Sequence, residues 1–160
     1  MSDSMRVRRL RPWELVDAVP LAGEFHAAAK LGGEFDPGIF MDTMAGLGES
    51  GRLGAIGLFR GDDLVGVLLG MIARHFLTDN LIAQEIMWWV TPEARQGTHG
   101  IRMVSEFEKW AKEFGASAVI MASFVETDGD DRLSAIYERR EYRKIETHFF
   151  KSWPSSHPQL

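Results

Sequence analysis

Residues 81–125 constrain the fold more than any other part of the chain, because they read as strand, glycine-containing turn, helix and strand in succession. The first strand is predicted from Leu81 to Val90, and Ser117 to Val125 is a continuous apolar run, which is typical of a central strand covered on both faces. The helix is predicted from Gly100 to Phe114, with Gly115 as its stop. One stripe of that helix is apolar: Met103, Val104, Phe107, Trp110, Ala111 and Phe114. A helical crossover between two strands indicates a layered α/β fold in which those strands can lie parallel.

The rest of the chain adds helices and strands around this unit. Asp36 is a good N-cap and precedes a proline, so a helix should begin at Pro37. The pattern predicts one domain over residues 1–153 and a flexible tail over residues 154–160. The remaining predicted elements are a strand (Met5–Arg11), a helix bent at Pro20 (Trp13–Leu31), a helix (Pro37–Leu47), a hairpin (Leu53–Phe59 and Leu64–Arg74), a short helix (Arg132–Arg139) and two strands (Tyr142–Lys144 and Thr147–Trp153).

Composition excludes several classes of protein. The chain has no cysteine, which excludes disulfides, thiolate metal sites and a cysteine nucleophile. Its longest apolar stretch, Leu64–Ala73, is about half of what a membrane span needs. The N-terminus lacks an apolar signal region, so a cytoplasmic location is predicted. A net charge of −5 argues against binding nucleic acid by bulk charge.

The turn between the strand ending at Val90 and the following helix is a candidate phosphate site. A short glycine-containing turn leaves backbone N–H groups free at the positive end of a helix, and those groups bind anions. The alternative is that Gly97 and Gly100 only make the turn and allow close packing of the helix. Neither the P-loop pattern nor the dinucleotide-binding glycine pattern is present, so the local sequence predicts no nucleotide class.

Two stretches carry a resemblance to a known family. Trp89-Val90-x-Pro92-Glu93-x-Arg95-x-Gly97-x-x-Gly100 and the helix ending Trp110-Ala111 resemble the acetyl-CoA-binding motif of the GCN5-related N-acetyltransferases, the GNAT superfamily. The resemblance is greatest to short phage and bacterial members. The second stretch, around Ala135 to Tyr142, resembles the last helix of the family. The usual family motif has glycine where this chain has Thr98 and where it has Glu141.

The resemblance implies an α/β GNAT fold, with about four helices and a mixed, mostly antiparallel, twisted sheet of six to seven strands. The sheet would be splayed open beside the strand Leu81–Val90, with acetyl-CoA in the opening and no metal. The strand would be bulged near Met87–Val90, where it holds the pantetheine. The resemblance implies these residues as binding acetyl-CoA: Trp88, Trp89, Val90, Arg95, Gln96, Gly97, Thr98, His99, Gly100 and Ile101.

Two residues are candidates for catalysis. Tyr137 matches the family position of the proton donor to the departing thiolate, and its alternative is a packing role on an apolar helix face. Glu85, on the strand beside the opening, is the candidate general base, since burial would raise its pKa. Its alternative is a structural carboxylate paired with an arginine.

These expectations predict an N-acetyltransferase that moves acetyl from acetyl-CoA to a primary amine by direct attack in a ternary complex. The amine would belong to a small molecule or a peptide, and acidic residues such as Asp36, Asp42 and the loop Glu126–Asp131 favour a cationic one, unless they only solubilise the loop. Alternatives are transfer to a protein or an aminated nucleobase, or a non-catalytic module that binds CoA or a protein. The basic strand Arg6–Arg11 is interpreted as a solvated face rather than a nucleic-acid contact, and a homodimer is left open.

Overall fold

The computed structural model describes residues 4–123 and 130–153, without the side chains of residues 130–132. Within these residues a curled mixed sheet is covered by helices on both faces. No helix in these ranges is long and apolar enough to cross a membrane. The elements are β1 (Met5–Arg9), α1 (Val19–Ala29), α2 (Pro37–Glu49), β2 (Leu53–Arg60), β3 (Asp63–Arg74), β4 (Leu81–Val90), α3 (His99–Glu113), β5 (Ala116–Ile120) and α4 (Asp130–Arg139).

The five strands lie in chain order across the sheet. β1 to β4 pair antiparallel in sequence, which confirms the predicted hairpin, and β5 pairs parallel with β4. Parallel pairing requires a long crossover, and α3 supplies it. The predicted crossover unit is therefore confirmed.

The prediction of six to seven strands is wrong, because the described residues contain five. The two strands predicted at Tyr142–Lys144 and Thr147–Trp153 do not form, and residues 143–153 have no regular secondary structure. Phe149 and Phe150 are exposed there. A strand needs a hydrogen-bonding neighbour, and a local sequence does not specify one.

β5 is shorter than predicted and lies at an edge of the described sheet. Ser117 and Ala118 on β5 are exposed, so the strand is not the doubly covered central strand that its apolar run indicates. The predicted residues Phe124 and Val125 fall outside the described ranges. A short apolar run indicates burial somewhere along a strand, but it does not fix the strand's position in the sheet.

The helical predictions agree with the structure apart from the first. The chain forms a 3₁₀ helix at Pro12–Ala18 and then α1, with Pro20 in the first turn of α1, where a missing N–H costs nothing. The predicted cap of α2 is confirmed, since Asp36 Oδ1 accepts from the backbone N–H of Gly38 at 2.8 Å and of Ile39 at 3.1 Å. Gly115 follows α3 with φ of +85°.

Two glycines allow α3 to pack directly against the sheet. Gly54 of β2 and Gly70 of β3 are cross-strand partners, and the stacked rings of Phe107 and Trp110 lie over them with centroids 5.3 Å apart. A Cβ at Gly70 would clash with the Phe107 ring and would lie 2.8 Å from the backbone oxygen of Gln84. α3 is thereby held close to β2 and β3, and Gly100 at its N-terminus lies beside Trp88 near the end of β4.

Candidate active site

β4 and β5 separate after a short stretch of pairing. The parallel ladder joins Leu81–Gln84 to Ala116–Ile120, while β4 continues to Val90 without further pairing to β5. The predicted opening beside β4 therefore lies along residues 85–90. It is the natural place for a ligand in this sheet, because β4 pairs there with β3 on one side while its other side is not paired with β5.

A β-bulge at Ile86 directs the side chains of β4 into this opening. Gly70 is paired with Glu85 and Leu69 with Met87, so Ile86 is the extra residue of β4. After the bulge, Met87 and Trp89 join the apolar cluster beneath α1, while Trp88 and Val90 pack toward α3. The bulge lies one residue before the predicted range Met87–Val90.

A cavity of about 170 Å³ opens beside the end of β4. Thr98 and His99 lie in the adjoining turn but not in the cavity wall. Leu133 and Ile136 of α4 also line it and were missed from the sequence, although their spacing of three residues puts both on one apolar face of a helix. The wall contains eight of the ten residues predicted to bind acetyl-CoA: Trp88, Trp89, Val90, Arg95, Gln96, Gly97, Gly100 and Ile101.

The turn before α3 presents a row of free donors. The backbone N–H groups of residues 96–101 have no backbone acceptor in the described part of the chain, and Thr98 makes no side-chain cap. Gly97 has φ of +73°, a left-handed conformation that glycine adopts without strain. These donors lie at the positive end of the 15-residue helix α3. The arrangement is suited to an anion with several acceptor oxygens.

Arg95 contacts both Val90 and Trp89 at the cavity. Its Nε donates to the backbone oxygen of Val90 at 2.8 Å, and its guanidinium lies 4.4 Å from the centre of the Trp89 ring. Trp89 is fixed in turn, because its Nε1 donates to Glu24 Oε2 at 2.7 Å. The guanidinium therefore adds positive charge beside the turn with little freedom to move.

The two predicted catalytic side chains meet at one residue. Glu85 is only 7% exposed, and its Oε2 accepts from the backbone N–H of Ala122 at 2.9 Å. The Tyr137 hydroxyl donates to the backbone oxygen of Ala122, also at 2.9 Å. Ala122 lies just beyond the end of β5, so both side chains reach the opening between β4 and β5.

Three buried side-chain polar atoms have no hydrogen-bond partner within residues 4–123 and 130–153: Trp88 Nε1, His99 Nδ1 and Ser123 Oγ. All three border the site. Trp88 lines the cavity, His99 begins α3, and Ser123 follows Ala122. Buried polar groups in proteins are normally paired, so unpaired ones gathered at one place mark a region built for more than packing.

A family comparison agrees with this geometry. The sequence profile of the Acetyltransferase (GNAT) family matches residues 25–142. The chain belongs to this family.

Solved acetyltransferase structures resemble the chain over nearly its whole length. The aminoglycoside N-acetyltransferase AAC(6')-Iy, in complex with CoA, is 10% identical with a TM-score of 0.73, covering 97% of this chain and 98% of that one. An aminoglycoside acetyltransferase from an uncultured soil metagenomic sample is 18% identical with a TM-score of 0.70, covering 94% and 99%.

Ribosomal-protein-alanine N-acetyltransferase from Brucella melitensis biovar Abortus 2308 is 14% identical with a TM-score of 0.70, covering 94% of this chain and 100% of that one. No curated protein matches in sequence. At these identities the structures establish the GNAT fold of the chain.

The end of α4 is anchored to α3 through Glu108. Arg140 Nη2 donates to Glu108 Oε2 at 2.6 Å, and the Tyr142 hydroxyl donates to Glu108 Oε1 at 3.0 Å. Burial, with the Glu108 charge, raises the pKa of Tyr142 well above its usual range, so the phenol stays a donor. Glu141 has φ of +66°, which explains why a GNAT protein usually has glycine there.

The charged residues singled out in the sequence are mostly used within the fold. Arg6, Arg8 and Arg9 pair with Asp62, Glu14 and Glu113, so the basic strand is not a row of free cations. Glu126–Gly129 lie outside the described residues, as do the side chains of Asp130 and Asp131, so the acidic loop has no structural account. The described residues contain no group of ligands suited to a metal ion.

Proposed function

We propose that this GNAT protein is an N-acetyltransferase that transfers acetyl from acetyl-CoA to a primary amine by direct attack in a ternary complex. One observation carries the proposal: the turn whose backbone N–H groups, at residues 96–101, have no backbone acceptor among the described residues shares the wall of one cavity with Trp88–Val90 of β4. N–H donors at one end and an edge of β4 that is not paired with β5 suit an elongated ligand with an anionic end.

The residues present fit the chemistry of acetyl-CoA. Its pyrophosphate offers only acceptor oxygens, and the turn offers N–H donors at a helix N-terminus, with the Arg95 guanidinium nearby. The pantetheine arm would lie along residues 87–90, beside Trp88. When bound, acetyl-CoA supplies an acetyl group activated as a thioester.

Tyr137 is proposed as the proton donor. The ammonium first loses a proton to solvent. The neutral amine nitrogen then bonds to the acetyl carbon, the carbon–sulfur bond breaks, and the nitrogen loses a second proton to water as the amide forms. The Tyr137 hydroxyl, held at 2.9 Å from the Ala122 oxygen, would turn to give its proton to the departing sulfur and would regain one from water. Trp88 packs near its ring, with centroids 6.5 Å apart, and restricts its motion.

The acceptor is proposed to be a cationic amine of a small molecule or a peptide. Two of the similar structures are named as an aminoglycoside acetyltransferase and a ribosomal-protein-alanine N-acetyltransferase. The net charge of −5 of this chain favours a positively charged acceptor. Two points stay predictions from the sequence: the resemblance to short phage and bacterial members, and the cytoplasmic location.

The test is a screen of amines, peptides and nucleic acids with acetyl-CoA, in which released thiol is measured. Thiol release that depends on an amine, with the acetylated amine identified by mass spectrometry, would support the proposal. Binding of acetyl-CoA without turnover on any acceptor would contradict it and would favour a non-catalytic CoA-binding module. Comparing rates at low and high salt tests the charge of the acceptor, because attraction between a cationic amine and an acidic site weakens with ionic strength.

A further inference from the structure

Glu85 bridges the gap at the point where β4 and β5 part. The β4–β5 ladder ends at Gln84 and Ile120, and Glu85 is the next residue of β4. Its backbone does not pair with β5, but its carboxylate accepts the Ala122 N–H at 2.9 Å. A side chain therefore replaces the backbone carbonyl that would accept this N–H in a continuous sheet. The carboxylate holds the end of β5 at a fixed separation from β4.

Ala122 also forms a hydrogen bond with Tyr137. The Ala122 oxygen accepts from the Tyr137 hydroxyl at 2.9 Å, while the Ala122 N–H donates to Glu85. Ala122 thus carries a contact from β4 on its N–H and a contact from α4 on its carbonyl. Any movement of Ala122 moves the acceptor that orients the phenol.

We propose that Glu85 is a positioning residue for Tyr137, acting through the backbone of Ala122, and that it is not the general base. This inference rests on the proposed function, since it concerns the proton donor of acetyl transfer. Glu85 is 7% exposed and its Oε2 is engaged with a backbone N–H, whereas a base for a cationic amine needs a carboxylate oxygen that the amine or a water can reach. The function of the carboxylate is to accept a hydrogen bond, and a neutral amide oxygen can do the same.

Glu85→Gln and Glu85→Ala separate the two roles. In the positioning role, Glu85→Gln lowers kcat less than about tenfold and keeps the shape of its pH profile, while Glu85→Ala lowers kcat about 100-fold with a small change in KM for acetyl-CoA. Combining Glu85→Ala with Tyr137→Phe should cost little more than either alone, because both remove the same oriented phenol. Gln84→Ala, an exposed neighbour on β4, is the matched control for changes to this strand.

A spectroscopic measurement keeps the test independent of turnover. The chain has only two tyrosines, so labelling with 3-fluorotyrosine gives two ¹⁹F resonances, which Tyr137→Phe assigns. Glu85→Ala should shift or broaden the Tyr137 resonance, Glu85→Gln should shift it much less, and Gln84→Ala should leave it in place. If Glu85→Ala fails to fold, Glu85→Gln and Glu85→Asp carry the comparison.

The proposal is overturned if Glu85→Gln loses as much activity as Glu85→Ala and its pH profile loses the acidic limb, which is the behaviour of a general base. It is also overturned if the Tyr137 resonance is the same in all Glu85 variants. Failure of the proposed function looks different, because wild-type protein would then release no thiol with any acceptor while the ¹⁹F comparison could still be made.

Discussion

Replacing Gly100 by glutamate should abolish acetyl-CoA binding without unfolding the protein. Gly100 is the second residue of α3, beside the unpaired N–H groups of residues 96–101, and it lines the cavity. A Cβ there would lie 3.3 Å from Cζ2 of Trp88, which is a tight contact that a small shift of the indole relieves. The new carboxylate would occupy the position proposed for the pyrophosphate and repel it.

The change in the stability of the free variant is the balance of two gains and one cost. Removing a helical glycine gains about 0.5–1 kcal/mol and an acidic residue in the first helical turn gains about 0.3–1 kcal/mol, against the cost of the Trp88 contact. The free variant should therefore melt within about 3 °C of wild type. Ligand at 100 times its Kd stabilises a protein by about 2.7 kcal/mol, which for a domain of this size raises Tm by roughly 5–10 °C. In the variant this rise should fall below about 2 °C.

The assay is thermal melting with and without acetyl-CoA, followed by calorimetric titration. Gly46→Glu is the control, because Gly46 is exposed in the last turn of α2 and a Cβ there meets nothing within 4 Å. The control adds the same charge and removes a helical glycine, and it should keep the full ligand-induced rise. An equal rise in Gly100→Glu would refute the proposed position of acetyl-CoA.

Three further changes test other parts of the molecule. Tyr137→Phe should lower kcat by roughly 10- to 1,000-fold with little change in acetyl-CoA affinity, measured under conditions in which chemistry is rate-limiting. Gly70→Ala should cost at least about 1–3 kcal/mol in urea denaturation, because its Cβ meets the Phe107 ring and nearby backbone. Hydrogen bonds from Arg8 and from a backbone N–H lower the pKa of Glu14 to about 2. Ionised Glu14 therefore stabilises the fold at pH values above the usual glutamate pKa, and this contribution is lost as the pH falls toward 2. Glu14→Gln should remove this part of the pH dependence of unfolding.

The strongest local patterns predicted their elements well. The apolar stripe of α3, the cap at Asp36 and the two apolar runs that flank the turn of the β2–β3 hairpin all act between residues a few positions apart, so the sequence contains the whole signal. The turn before α3 was predicted for the same reason, since its glycines and the following helix lie within a dozen residues. Five predicted ligand-binding residues of this turn and the helix start line the cavity, together with three from the end of β4.

The predictions for the last part of the chain were less accurate. Two strands were predicted within residues 142–153, but no strand forms there, because pairing depends on a neighbour that the local sequence does not specify. The apolar run of β5 likewise gave a strand but not its edge position. The fit of α3 on Gly54 and Gly70 joins residues far apart in sequence, so it too was invisible beforehand.

The sequence by itself determined the helices, the hairpin, the crossover and the donor-rich turn, because each follows from the chemistry of neighbouring residues. Only the tertiary structure decided that Glu85 and Tyr137 meet at Ala122, across 37 and 15 positions of the chain. This contact depends on where β5 separates from β4 and on how α4 packs. Both are set by long-range contacts between elements, and the local sequence of one element does not specify its contacts with another.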